Sequence, residues 1–354
     1  MMLRGFLGWP HCLAEVVFFQ IVRQRRPFIA MDLAIELADR YILNEALYSN
    51  LPTQLTVPPQ LLAFADQYLG KGVISPTYGF EEGDFWRQVA SVYIVYLVGG
   101  YLLYLSVAGL TYWYLRVVKK EKFFGSEKVA PNIKGEIWRA VTALPWMALY
   151  TLLMVMPSVR GYSRLYNNVS DYGVPYLLLS LVMFLLFTDT GIYWIHRGLH
   201  WGPFYKYIHK DHHRWVKSMS PFASHAFAPE DGVLQSVPYH LFIYLFPMHK
   251  IAYLCMFVIV NCWTISIHDM IYVSDTSFIL GAAHHSVHHL DFNYNYGQYF
   301  TFWDRLCGTH RSPPHLRHVF SKEDPGKKAR PSIPGYVTFT KDHKAVPKQP
   351  KKLD

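Results

Sequence analysis

From Ser91 to Val118 the chain runs apolar and aromatic for 28 residues, with Arg116 as its single charge, close to the end. At 1.5 Å per residue a helix of this length reaches about 42 Å, more than the roughly 30 Å of bilayer hydrocarbon. The run therefore predicts a membrane-spanning helix. Ala140 to Met156 is a second, shorter candidate that carries Pro145, and Val174 to about Ile195 is a third that contains Asp189. A last apolar region, Val233 to Ile267, is interrupted by Pro238, Pro247, His249 and Lys250. Pieces of that length predict a helical hairpin dipping into the bilayer. The expected fold is all-α: an integral membrane helical bundle of about four spans, hairpin included.

Composition agrees, since charged residues make up 17% of the chain against about 25% in an average soluble domain. The formal net charge of +9 comes from basic residues that flank the apolar runs and fill the C-terminal tail. That distribution fits a membrane surface or an acidic protein partner, and not nucleic acid. Lys119, Lys120 and Lys122, followed by Lys128, Lys134 and Arg139, make the first loop basic, which places it in the cytosol by the positive-inside rule. Alternation then returns the chain to the cytosol after the third span and after the hairpin. The four cysteines show no CxxC spacing and predict neither a disulfide framework nor a thiolate metal site. Near the start, Cys12 to Val22 is too short to span, and Met31, a candidate translation start, opens a segment with helical spacing. The expected organisation is an N-terminal segment 1–90, a membrane-embedded domain 91–320 and a disordered basic tail 321–354.

Histidine is the outlier. Sixteen of the eighteen lie between His196 and His318. Three clusters stand out: His196 with His200, His209 with His212 and His213, and His285 with His288 and His289. On a helix, positions three and four apart share a face, so each cluster aims two or three imidazoles at one point. Neutral imidazole suits iron, copper, zinc and nickel. Eight histidines exceed what one four-coordinate site needs, which favours two metals. With no thiolates and few carboxylates, the pattern points to an all-nitrogen di-iron centre able to activate oxygen, zinc staying open as an alternative. These eight are the candidate catalytic and metal-binding residues, and they sit where the topology reaches the cytosol. His268, at the exit of the hairpin, is a ninth candidate ligand. Asp189 lies two helical turns before His196 and is a candidate partner for a ligating ring, whereas Asp211, Asp269 and Asp291 read as solvent-facing carboxylates.

Five stretches together resemble the fatty acid hydroxylase superfamily and, within it, fungal sterol C5-desaturases. They are TDTGIYWIHRGLH from Thr188, HKDHHRW from His209, SPFASHAF from Ser220, WTISIHD from Trp263 and HHSVHHLDFNYNYGQYFTFWDRLCGTHR from His284. The resemblance implies a four-span membrane enzyme with a cytosolic histidine-rich metal-binding cap and two iron ions. It implies oxygen as oxidant, and electrons from NADH or NADPH through cytochrome b5 and its reductase. The implied substrate is a Δ7-sterol, dehydrogenated at C5–C6; a hydroxylase or methyl oxidase of the same superfamily is the alternative, and a non-catalytic membrane metal-binding protein the reading from another class.

Two positions depart from the family pattern. Ala228 stands where a further histidine is usual, with His225 or His284 as possible substitutes, and Met270 stands where glycine is usual. Tyr193, Tyr272, Tyr294 and Tyr296 are candidates to line a sterol groove, and Lys206, Lys210, Arg214 and Lys217 form a basic surface suited to cytochrome b5 or to lipid headgroups. The chain closes on Lys351, Lys352, Leu353 and Asp354, which looks like a dilysine retrieval signal of endoplasmic reticulum membrane proteins.

Overall fold

The computed structural model describes residues 33–51, 54–68, 77–79, 83–120, 132–215, 219–269 and 278–313. Met31, Lys122, Lys128, Lys217, Met270, Tyr272 and the tail from 314 onward lie outside these residues. The described chain is built from helices, with only short two-stranded pairings. Four helices are long and apolar enough to cross a membrane: α1 (Phe85–Val118), α2 (Ile133–Val159), α3 (Gly173–Leu199) and, later in the chain, Lys250–Ile267. Between the third and fourth lies α4 (Pro229–Leu245), so that Lys250–Ile267 is α5. Two shorter helices follow, α6 (Ala282–Asp291) and α7 (Phe302–Leu306).

The spans begin earlier than hydropathy predicts. Arg87, Gln88 and Ser91 interrupt the apolar pattern, yet all three are buried inside the first turns of α1. They are tolerated because each has a partner: Arg87 Nη2 donates to Asp39 Oδ2 at 3.1 Å, and Arg160 Nη1 donates to Gln88 Oε1 at 2.9 Å. Ser91 bonds Tyr48 Oη at 2.8 Å. In a similar way α2 starts at Ile133 and not at Ala140, because Glu136 is buried against Ser220 and Arg139 pairs with Asp211 at 2.9 Å. The hairpin breaks only once. Pro238 lies inside α4 and does not end it; its ring fills the space over Gly191, where an added Cβ would approach the Pro238 Cγ to 2.6 Å.

Two compact units divide the chain. Among the described residues, the first comprises 33–51, 54–68, 77–79, 83–99, 148–177 and 243–254. Its core joins Ile35, Val92, Leu152, Val155, Met156 and Val159. The turn between α4 and α5 is tied here: Arg164 N donates to Ile243 O at 2.7 Å, Met248 N to Arg164 O at 3.2 Å, and Tyr176 Oη to Pro247 O at 3.0 Å. Among the described residues, the second unit comprises 100–120, 132–147, 178–215, 219–242, 255–269 and 278–313 and contains every clustered histidine. Phe184 packs edge-on to Phe242 with ring centroids 5.2 Å apart, joining α3 to α4. Large apolar side chains point outward from the spans; Leu153, on α2, is 81% exposed. An outward face this apolar suits lipid, where backbone groups must be satisfied within the helix.

Candidate metal centre

The nine histidines singled out in the sequence gather in two sets within the second unit. His196, His200, His209, His213 and His288 form one, and His212, His268, His285 and His289 the other, with one ring nitrogen of each residue inside a 4.8 Å group. The last turn of α3 supplies His196, with His200 just beyond its end. His209, His212 and His213 come from the short helical turns that follow. His268 stands immediately after α5, and α6 carries the rest, with His285 and His289 on one face for the second set and His288 turned to the first.

Within the first set, Nε2 of His209 lies 3.2 Å from that of His196 and 3.1 Å from that of His213, which is 3.2 Å from that of His200. In the second, Nε2 of His268 is 3.3 Å from that of His212 and 2.9 Å from that of His285, itself 3.0 Å from that of His289. His196 Nδ1–H donates to Tyr296 O at 3.0 Å, and His209 Nδ1–H to Asp231 Oδ2 at 2.7 Å. In their neutral forms both rings then carry the proton on Nδ1 and turn a bare Nε2 lone pair toward each other. In the same way His288 Nδ1–H donates to Tyr294 O at 2.8 Å and leaves a buried Nε2 with no partner among the described residues. His268 Nδ1–H donates to Thr264 O at 2.6 Å. Burial pushes His268 down to about 4 and His200 to about 3, and holds His212, His213, His285, His288 and His289 well below the usual imidazole range. These rings are neutral at physiological pH.

Lone pairs facing one another at such distances repel unless a cation stands between them. Nitrogens held at about 2.0–2.1 Å from one ion lie about 2.9 Å apart at right angles and about 3.4 Å apart at tetrahedral angles, the range found here. The donor set thus fits two metal ions, each ringed by neutral imidazole, the ligand that suits iron and zinc. Orienting the outer nitrogen by a carbonyl or carboxylate is the usual support for such ligands.

The loop 292–301 provides much of that support. Asp304, buried, accepts from Tyr296 N at 2.9 Å and Gly297 N at 3.0 Å. Asp189 Oδ1 accepts from the N–H groups of Gln298, Tyr299 and Phe300 at 3.1, 2.7 and 3.2 Å. Asp189 thus orients no ring directly; it clamps the loop whose Tyr296 carbonyl orients His196. Asn295, in the left-handed region at φ 58°, is pinned by its side chain to His284 O at 3.1 Å and to Arg311 O at 2.9 Å. Phe292, with φ 54°, sets its ring 4.9 Å from that of His213.

The other candidates divide. Tyr296 is buried with its ring 5.1 Å from His200 and 5.5 Å from His288. Tyr193 instead bonds Thr309 Oγ1 at 3.0 Å, and Tyr294 lies under Arg311. Asp211 is solvent-facing, but Asp269 is buried, and Asp291 is mostly covered in an ion pair with Arg311. Neither His225 nor His284 joins a set: His225 meets Ser224 Oγ at 3.0 Å and Asn261 Oδ1 at 3.2 Å, and the His284 ring lies tilted to that of His310 with centroids 5.7 Å apart. Ala228 is buried and stands just before α4, its carbonyl accepting from Asp231 N at 3.0 Å. Lys206, Lys210 and Arg214 are exposed beside the second histidine cluster. Asp231 and Asp304 were not singled out from the sequence. The acidic pair Glu230 and Asp231 at a helix start reads as a capping signal, and nothing local in the chain points either residue at a histidine or a loop.

The family model described as Fatty acid hydroxylase matches residues 181–309, the stretch that contains both sets. Human lathosterol oxidase is 44% identical over 261 residues, covering 72% of this chain and 85% of the relative. The Delta(7)-sterol 5(6)-desaturase erg31 of Schizosaccharomyces pombe is 44% identical over 253 residues, covering 72% and 83%. That of Eremothecium gossypii is 40% identical over 315 residues, covering 80% and 89%. No solved structure matches the chain significantly. Sharing this similarity across most of its relatives' length, the chain belongs to the fatty acid hydroxylase family, among its sterol desaturase members, and is a multi-pass membrane oxidoreductase.

Proposed function

We propose that the chain is a sterol C5-desaturase that dehydrogenates a Δ7-sterol at C5–C6 with oxygen, using two iron ions held by the two histidine sets. The observation that carries this reading is the pair of convergent, buried imidazole groups whose lone pairs face one another, in a chain similar to sterol desaturases. When bound, iron supplies the redox chemistry that lets oxygen abstract unactivated hydrogens. The substrate gives up one hydrogen from each of C5 and C6 and gains a double bond. Oxygen takes these two hydrogens together with two electrons and two protons from outside, and leaves as two waters.

The residues of the chain have other tasks. The imidazoles stay neutral and fixed, Tyr296 closes one side of the first set, and the buried surroundings exclude water from the reacting atoms. Electrons come from NADH or NADPH through cytochrome b5 and its reductase, with the exposed Lys206, Lys210 and Arg214 as the docking surface. The 91–320 segment is the oxygenase domain in this scheme. The basic loop after α1 supports a cytosolic site, and residence in the endoplasmic reticulum membrane belongs to the same proposal.

Expression in a yeast that lacks its own C5-desaturase, followed by ultraviolet spectroscopy of extracted sterols, tests it. The conjugated Δ5,7-diene is expected with the unmodified chain and is expected to vanish in His196→Ala, His212→Ala and His288→Ala. A hydroxylated sterol in place of the diene would assign the chain to the hydroxylases of the family.

A further inference from the structure

Among the described residues, five of the nine clustered imidazoles have a hydrogen-bond partner for the nitrogen that faces away from their set. His196, His213, His268 and His288 meet main-chain carbonyls, of Tyr296, His289, Thr264 and Tyr294. His209 alone among the five meets a carboxylate, Asp231 Oδ2, at 2.7 Å. Both side chains have no exposure. The other oxygen of Asp231 accepts from Gln235 Nε2 at 2.7 Å, one turn along α4, so the carboxylate is held from both sides. Asp231 also stands in the first turn of a 17-residue helix, where the N-terminal end of the helix dipole favours negative charge.

A neutral carbonyl orients a ring, but a carboxylate also donates charge through it. The His209 N–H is fixed at Nδ1, and the electron density at Nε2 rises, which makes it a stronger donor. The charge acts in a water-poor interior, where it offsets part of a bound cation's own charge. His209 belongs to the five-imidazole set. No clustered histidine of the four-imidazole set has a carboxylate hydrogen-bonded to it among the described residues.

On this difference, and resting on the metal reading above, we propose that Asp231 is a positioning residue that makes the two ions unequal. By fixing the tautomer of His209 and feeding it negative charge, it tightens the hold of the five-imidazole set on its ion and leaves the four-imidazole set untouched. Sequence separates the pair by 22 residues, and the bond forms because α4 begins directly behind the second histidine cluster.

The test uses the full-length iron-loaded protein in detergent micelles, challenged with rising chelator, with iron per chain and Mössbauer spectra as readouts. Loss of one set of lines in His200→Ala identifies the ion of the five-imidazole set. Asp231→Asn keeps the shape and removes the charge. It is expected to release that ion at about 10- to 100-fold lower chelator, the usual effect of losing such a partner, and to move only its lines. Release of both ions at the unmodified protein's chelator concentration, or equal weakening of both, would overturn the proposal. If Asp231→Asn does not fold, Gln235→Leu loosens the carboxylate without touching His209; the same ion should then be released first, at about threefold lower chelator, and unchanged release of both ions would overturn it. An unmodified protein that holds fewer than two ions would instead defeat the metal reading, independently of Asp231.

Discussion

At the scale of single residues, the site depends on rings kept neutral by burial. His268 is pushed down to about 4 and His200 to about 3 by desolvation, whereas in an unfolded chain both titrate near the ordinary value of about 6.5. Between those values the unfolded chain binds more protons than the folded one, so stability falls as pH drops. The metal-stripped protein should therefore melt at constant temperature above about pH 7 and at progressively lower temperature from about pH 6.5 to pH 4. A melting temperature that is flat across that window would contradict neutral, buried rings. Asp189 gives a second test. Its Oδ1 serves three backbone N–H groups, and an unmet buried donor costs about 1–3 kcal/mol. Asp189→Ala should destabilise by roughly 3 kcal/mol or more by this reckoning, while Asp189→Asn, which keeps an oxygen there, should lose less; thermal melts in detergent distinguish the two. The histidine clusters were legible in the sequence because spacings of three and four repeat on one helical face. Their supports were not, since Asp189 reaches Tyr299 across 110 residues and His196 reaches Tyr296 across 100. Asp269, which reads as solvent-facing from the sequence, is buried in the structure.

Helices and their junctions follow from apolar runs, with corrections where polar residues find partners. Hydropathy starts α1 at Ser91, but the helix starts at Phe85, because Asp39 and Arg160 satisfy Arg87 and Gln88. It also lets Pro238 break the hairpin, whereas the helix runs through that proline, whose ring sits in the notch left by Gly191. A glycine is needed there for space and not for backbone freedom. Gly191→Val would drive two methyl groups into that ring, and overpacking of this kind costs typically about 1–3 kcal/mol. The expected result is a lower melting temperature and less iron per chain, since Gly191 precedes His196 on the same helix. Unchanged melting and iron content would show that α3 and α4 do not approach as described.

For the molecule as a whole, the apolar spans made the membrane class legible from length and hydropathy alone, and the family resemblance supplied the chemistry that composition leaves open. How nine histidines divide was not legible. Clusters that are contiguous in sequence are split in space: His212 joins His268, His285 and His289, while its neighbour His213 joins His196, His200, His209 and His288. Two distinct sets imply two separately held ions. Iron per chain in the purified protein tests this most directly, measured for the unmodified chain, for His200→Ala, for His268→Ala and for the double variant. About two ions are expected in the unmodified chain, about one in each single variant and close to none in the double variant. Loss of both ions from either single variant, or retention of both in the double variant, would contradict two separately held ions.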